Sequence, residues 1–202
     1  MEINQTNVFE KYEGYIGQSE KFNGVIFCLR EANSQKSICE FWFKEIVLQP
    51  QTYYEQLKKE DEKSIRRNKQ IATKFKNRFS EILKDLGKEN DLSNVIFCNV
   101  NAAGGKSKVG AEYKQALLQA PEKLKNIILS VKTDDVVLCT CMDIYEKLKV
   151  CWKGKENVSE GITYENGKSL PCFQCKIEKK NVTVYGILHP SRSPKVKIKN
   201  NN

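Results

Sequence analysis

His189 is the one histidine in a chain of 202 residues. Histidine titrates near neutrality, so it can move a proton or stabilise a developing charge at working pH. It follows an apolar, β-branched run, Val182-Thr-Val-Tyr-Gly-Ile-Leu188, and opens the segment His189-Pro-Ser191-Arg192-Ser193-Pro-Lys195. A histidine leaving the carboxyl end of a buried strand stands where open α/β sheets place their active sites. The plain alternative is a histidine that closes a strand in a turn, and the rest of the chain must decide between the two.

Three other stretches carry residue types with chemical potential. Pro171-Cys172-Phe-Gln-Cys175 matches half of the zinc-deaminase signature, but its upstream H-x-E half is excluded because the sole histidine lies downstream. A lone C-x-x-C offers two of the four ligands a structural zinc needs, so no metal is expected. Val100-Asn-Ala-Ala-Gly-Gly-Lys-Ser107 is similar to a phosphate-binding loop between a strand and a helix. Its first position is Val100, however, where the glycine that turns the N–H cradle belongs. Phe27-Cys-Leu-Arg-Glu31-Ala-Asn33-Ser34 brings a carboxylate and an amide together out of a buried run.

Positioning these residues requires strands. Four apolar runs, at 25–29, 94–100, 135–141 and 182–188, are continuous rather than alternating, as strands buried on both faces are. Helical patterns lie between them. Residues 52–87 space apolar positions such as Leu57, Ile65, Ile71, Phe75, Phe79 and Leu83 in a charged background, with Gly87 as the stop. Residues 109–131 hold Leu117 and Leu118, then Pro121 at an expected new helix start. Residues 142–150 form a shorter pattern. The alternation predicts an α/β fold: a three-layer α/β/α sandwich around a central four-stranded parallel sheet. Asn166-Gly167 between β-like segments predicts a β-hairpin excursion near 158–181. One domain over 1–195 and a polar, basic, frayed tail over 196–202 complete the expected organisation.

Hydrophobic residues make up 40% of the chain and charged residues 29%, which is a globular composition with no run long enough for a membrane span. Residues 1–7 show no basic n-region or apolar h-region. A cytoplasmic, monomeric protein without membrane association is the expectation. Of the eight cysteines, Cys28, Cys98, Cys139 and Cys141 sit in or beside strand-like runs as small hydrophobes. The net charge of +9 favours a polyanion as partner, although lysine-rich composition alone would produce the same excess.

Taken together, the motifs resemble the uracil-DNA glycosylase superfamily. Leu29-Arg-Glu-Ala-Asn-Ser34 looks like the family's first motif in its L-G-E-A-P-G form. Val95-Ile-Phe-Cys-Asn99 is similar to the second-strand segment that ends in a base-recognising asparagine, and Leu188-His-Pro-Ser191 to the final His-Pro-Ser motif. The resemblance implies a monofunctional DNA glycosylase that flips a deaminated base, uracil foremost, from double- or single-stranded DNA into a pocket, without a cofactor. It implies that His189 stabilises the departing base anion, that Glu31 or Asn33 positions water, and that Asn99 reads the base edge. Phe41 or Phe43 would floor the base, Ser34 and Ser191 would hold phosphates, and Arg192, Ser193 and Lys195 would enter the DNA. The departures are Arg30 for the family glycine, Ala32 at a position where some subgroups keep a catalytic aspartate, and Arg192 in place of a leucine wedge. The alternatives are a non-catalytic nucleic-acid-binding relative and a nucleotide-binding protein using residues 100–107.

Overall fold

A computed structural model describes residues 15–16, 21–31, 62–101, 111–191 and 193–198. In chain order the elements are β1 (Tyr15–Ile16), β2 (Val25–Glu31), α1 (Glu62–Asp85), β3 (Ile96–Asn101), α2 (Ala111–Ser130), β4 (Asp135–Cys141), α3 (Met142–Trp152), β5 (Lys155–Thr163), β6 (Ser169–Ile177) and β7 (Lys180–Ile187). The strands form one mixed sheet in the order β1-β3-β2-β4-β7-β6-β5. Within it β3, β2, β4 and β7 are neighbours, and each adjacent pair runs parallel. The contacts of β1 with β3, β6 with β7, and β5 with β6 are antiparallel.

Burial explains the parallel strands. Every residue of β3 is buried, and Val25, Ile26, Phe27 and Cys28 of β2 have no exposed surface. Such strands need cover on both faces. Phe27 and Phe97 are register partners, and Phe79 of α1 packs on both, with ring centroids at 4.3 and 5.9 Å. Their chain neighbours Cys28 and Cys98 must project from the opposite face. On that side Lys123 of α2 donates to the carbonyls of Asn99, at 2.6 Å, and Val100. Tyr113 of α2 is bonded to Asp143 of α3 at 2.7 Å, so those two helices lie together.

The sheet is larger than the expected four strands. Residues 155–177 do not leave it; β5 and β6 extend it as an antiparallel meander from β7. Between them the Tyr164 N–H pairs with the Lys168 carbonyl at 2.8 Å, which leaves residues 165–167 as the turn. Gly167 N–H donates to the Tyr164 carbonyl at 2.9 Å, and Gly167 takes the left-handed φ of 81°, as hairpins with a glycine bulge require. Pro121 does not start a helix. It lies inside the continuous α2, where it removes one backbone donor. The tail is docked at its start: Val196 is 4% exposed and bridges Tyr164, and Lys197 N–H reaches the Thr163 carbonyl at 2.9 Å. Gly87 ends α1 as expected, at φ 64° with its N–H on the Lys84 carbonyl. Residues 52–61 of the expected long helix lie outside the described residues.

Candidate active site at the carboxyl edge of the parallel strands

Strand register sets which residues can meet. Leu29 pairs with Asn99 and Glu31 with Asn101 across β2 and β3. Cys141 pairs with Ile187 across β4 and β7, and His189 follows two residues later. The ends of all four parallel strands therefore reach the same edge of the sheet. Asn99 and Asn101 alternate from Phe97 and so share its face, the one α1 covers. His189 lies on this face too, because its ring meets Phe75 of α1 edge-on, with centroids 5.3 Å apart and planes at 89°. From β3 to β7 is three strand spacings, about 14 Å between backbones, before either side chain extends into the gap.

His189 is held from several directions. The N–H of Leu188 donates to the Tyr164 hydroxyl at 2.8 Å, which ties the strand end to the β5–β6 turn. Burial pushes the Tyr164 hydroxyl well above its ordinary pKa, with the Leu188 N–H pulling the other way, so it stays protonated. The N–H of Ser193 closes a turn onto the His189 carbonyl at 3.1 Å. Ser191 Oγ lies 2.9 Å from His189 Nδ1. The segment beyond is clamped by α1. Arg78 Nε donates to the Ser193 carbonyl at 3.3 Å, and Glu81 accepts the Val196 N–H at 3.0 Å. Arg78 and Glu81 pair with each other at 2.7 Å.

The candidate residues divide as follows. Asn99, 4% exposed, lies two residues before the end of β3, and the half-buried His189 two residues past the end of β7, both toward the shared edge. Glu31 ends β2 there by backbone register. Ser191 contacts the histidine rather than facing away from it. Ser193 is 3% exposed and bonds the Pro190 carbonyl, so its hydroxyl is used inside the loop and is not presented to DNA as the sequence reading expected. Lys195 is exposed. Asn33, Ser34, Phe41, Phe43 and Arg192 lie outside the described residues, as do positions 102–107 of the phosphate-loop candidate.

Arg30 turns away from this site. Its Nε pairs with Asp143 at 2.8 Å on the side of α2 and α3. Burial lowers its pKa, but the Asp143 hydrogen bond and charge outweigh that and hold it above its ordinary value. Cys172 and Cys175 sit three positions apart on β6 and so project from opposite faces, an arrangement that cannot chelate one ion. Among the described residues no group of three or more histidine, cysteine or acidic side chains is placed to hold a metal.

Sequence reasoning missed three participants. Asn101, 7% exposed, is a second asparagine at the β3 end, hidden because the apolar run was read only to Val100. Phe75 was assigned to the helix core by its spacing, and nothing local revealed that its ring also meets His189. Tyr164 stands beside the Asn-Gly turn, and its bond to Leu188 is a contact over 24 residues that no local pattern encodes. In comparisons with known proteins, no family model, no curated protein and no solved structure matches this chain.

Proposed function

We propose that the protein is a DNA base-excision glycosylase that hydrolyses the N-glycosidic bond of a deaminated base, uracil first among them. The observation that carries the reading is the common sheet edge: Asn99, the end of β2 at Glu31, and His189 all reach it, and both Asn99 and His189 lie on the α1 face. In this reading Asn99 recognises the base edge, because an amide offers a donor and an acceptor in one plane. His189 stabilises the charge that builds on the departing base, as a fixed hydrogen-bond donor does for an oxyanion. Glu31 positions the attacking water, with Asn33 as the alternative. Phe41 or Phe43 floors the base, and Arg192 and Lys195 meet the DNA. The fold would serve as a three-layer α/β/α frame whose parallel strands present these groups.

The direct test incubates the protein with labelled oligonucleotides containing uracil, hypoxanthine or xanthine, single- and double-stranded, followed by alkaline cleavage of abasic sites. Excision of at least one of these bases is expected. DNA binding without excision of any would leave the non-catalytic, nucleic-acid-binding reading, which the lysine excess also favours.

A further inference from the structure

Helix α1 carries eight lysines and arginines against three carboxylates. Its buried side, with Phe75, Phe79, Ile82 and Leu83, packs on the sheet. Another stripe of the helix, together with Lys195, lines an open groove of about 510 Å³. Among the described residues five cations border this groove, Arg66, Lys69, Lys74, Arg78 and Lys195, against the one acid Glu81. That acid is already engaged by Arg78 and by the Val196 N–H. The helical positions follow a three-and-four spacing, so they form a continuous track. From Arg66 to Arg78 it extends about 18 Å along the helix axis, long enough to meet several successive phosphates of one strand.

Charge and position both bear on the occupant. A track with one engaged acid attracts a polyanion. Thr73 and Asn77 add neutral hydrogen-bonding groups among the cations, a mixture typical of phosphate and sugar contacts. The groove also adjoins the candidate site, since Phe75 of the same helix touches the His189 ring and Arg78 holds the loop that follows it. We infer that the α1 groove, closed by Lys195, holds the phosphodiester backbone of a nucleic-acid strand and leads it past His189. This inference rests on nucleic acid being the partner of the His189 site, but it does not require that a base be excised there. It also gives a role to a charged helix that the glycosylase resemblance leaves unexplained.

The test compares two triple variants of equal charge. One is Arg66→Gln, Lys69→Gln and Lys74→Gln in the groove. The other is Lys132→Gln, Lys176→Gln and Lys179→Gln, exposed lysines near the opposite edge of the sheet, where β4 and β7 begin. Fluorescence anisotropy with labelled single- and double-stranded oligonucleotides is read over a salt series. Each lost phosphate contact should flatten the slope of log K against log salt by about 0.7–0.9. The groove variant should therefore lose about two to three units of slope and bind about tenfold or more weaker at moderate salt, while the control stays near wild type. Circular dichroism checks that both triples fold. Equal losses in the two triples, or none in the groove triple, would overturn the groove. Wild-type protein that binds no oligonucleotide at low salt, but does bind vesicles containing phosphatidylserine, would overturn both the groove and nucleic acid as partner. Wild-type binding with the predicted loss of slope and no excision of any base would uphold the groove while removing the glycosylase reading.

Discussion

A histidine is useful in catalysis when its ring is held in place, and His189 has a neighbour placed to hold it. Ser191 Oγ sits at Nδ1, where a hydroxyl can accept from Nδ1–H or donate to the bare nitrogen, so it holds the ring in either tautomer and its removal changes the balance between them. Because the chain has one histidine, its ¹⁵N imidazole signals can be read without assignment. Ser191→Ala should shift those signals toward a different tautomer mixture and slow base excision less than loss of the ring does; unchanged imidazole signals would show that the contact does not orient the ring. Thiols allow a second prediction at this scale. Cys151 is exposed, whereas Cys28, Cys98, Cys139, Cys141 and Cys172 are buried. Burial pushes the Cys141 thiol up to about 12 and the half-buried Cys175 up to about 11, and the thiolate is the form that reacts. Iodoacetamide at pH 8 followed by peptide mapping should modify Cys151 well before any of these six. His189 was legible as a candidate because it is unique and ends an apolar run. Its Ser191 contact was two residues away, but a local contact leaves no pattern that separates it from a phosphate-binding serine.

Helix α1 covers the face of β2 and β3 that carries Phe27 and Phe97. Phe79 has no exposed surface and meets Phe27, Phe75 and Phe97. Phe79→Ala should cost about 3–5 kcal/mol, the usual loss for a large core aromatic, read as a lower urea midpoint. In α2 the effect should have the opposite sign. Pro121 withholds the N–H that the Leu117 carbonyl would accept in a regular helix, so Pro121→Ala should stabilise the protein by about 2 kcal/mol after the gain in unfolded-chain entropy is subtracted. A destabilised Pro121→Ala would show that the ring has a packing role. The four apolar runs announced their strands because continuous burial is written in composition. The single α2 was misread because proline is a strong local stop signal, and the packing of Leu124, Ile127 and Ile128 on the far side of it outweighs that signal. The β5–β6 meander was legible as a hairpin from Asn166-Gly167. That it joins the main sheet was not, since β6 meets β7 through the two-residue turn Glu178-Lys179, which has none of the Asn or Gly residues that signal such a turn.

At the scale of the whole molecule, the sheet decides what can meet. Residues separated in sequence by 90 positions, from Asn99 to His189, reach one edge because β3, β2, β4 and β7 run in one direction. The C-x-x-C and Arg30, both suspect in the sequence, are carried elsewhere by the same alternation. The net charge of +9 would make the proposed interaction with nucleic acid salt-dependent. Affinity for a duplex should fall steeply between 50 mM and 200 mM salt with little dependence on sequence, and anisotropy titrations would show it; binding indifferent to salt would contradict a phosphate-dominated interface. The most direct test of the central claim is single-turnover excision of uracil from a labelled oligonucleotide by wild type and His189→Ala, each checked for an intact melting transition. The account predicts excision by wild type and a rate about 10²–10³-fold lower in the variant, the usual loss of one donor to a developing anion; equal rates in the two proteins would contradict it.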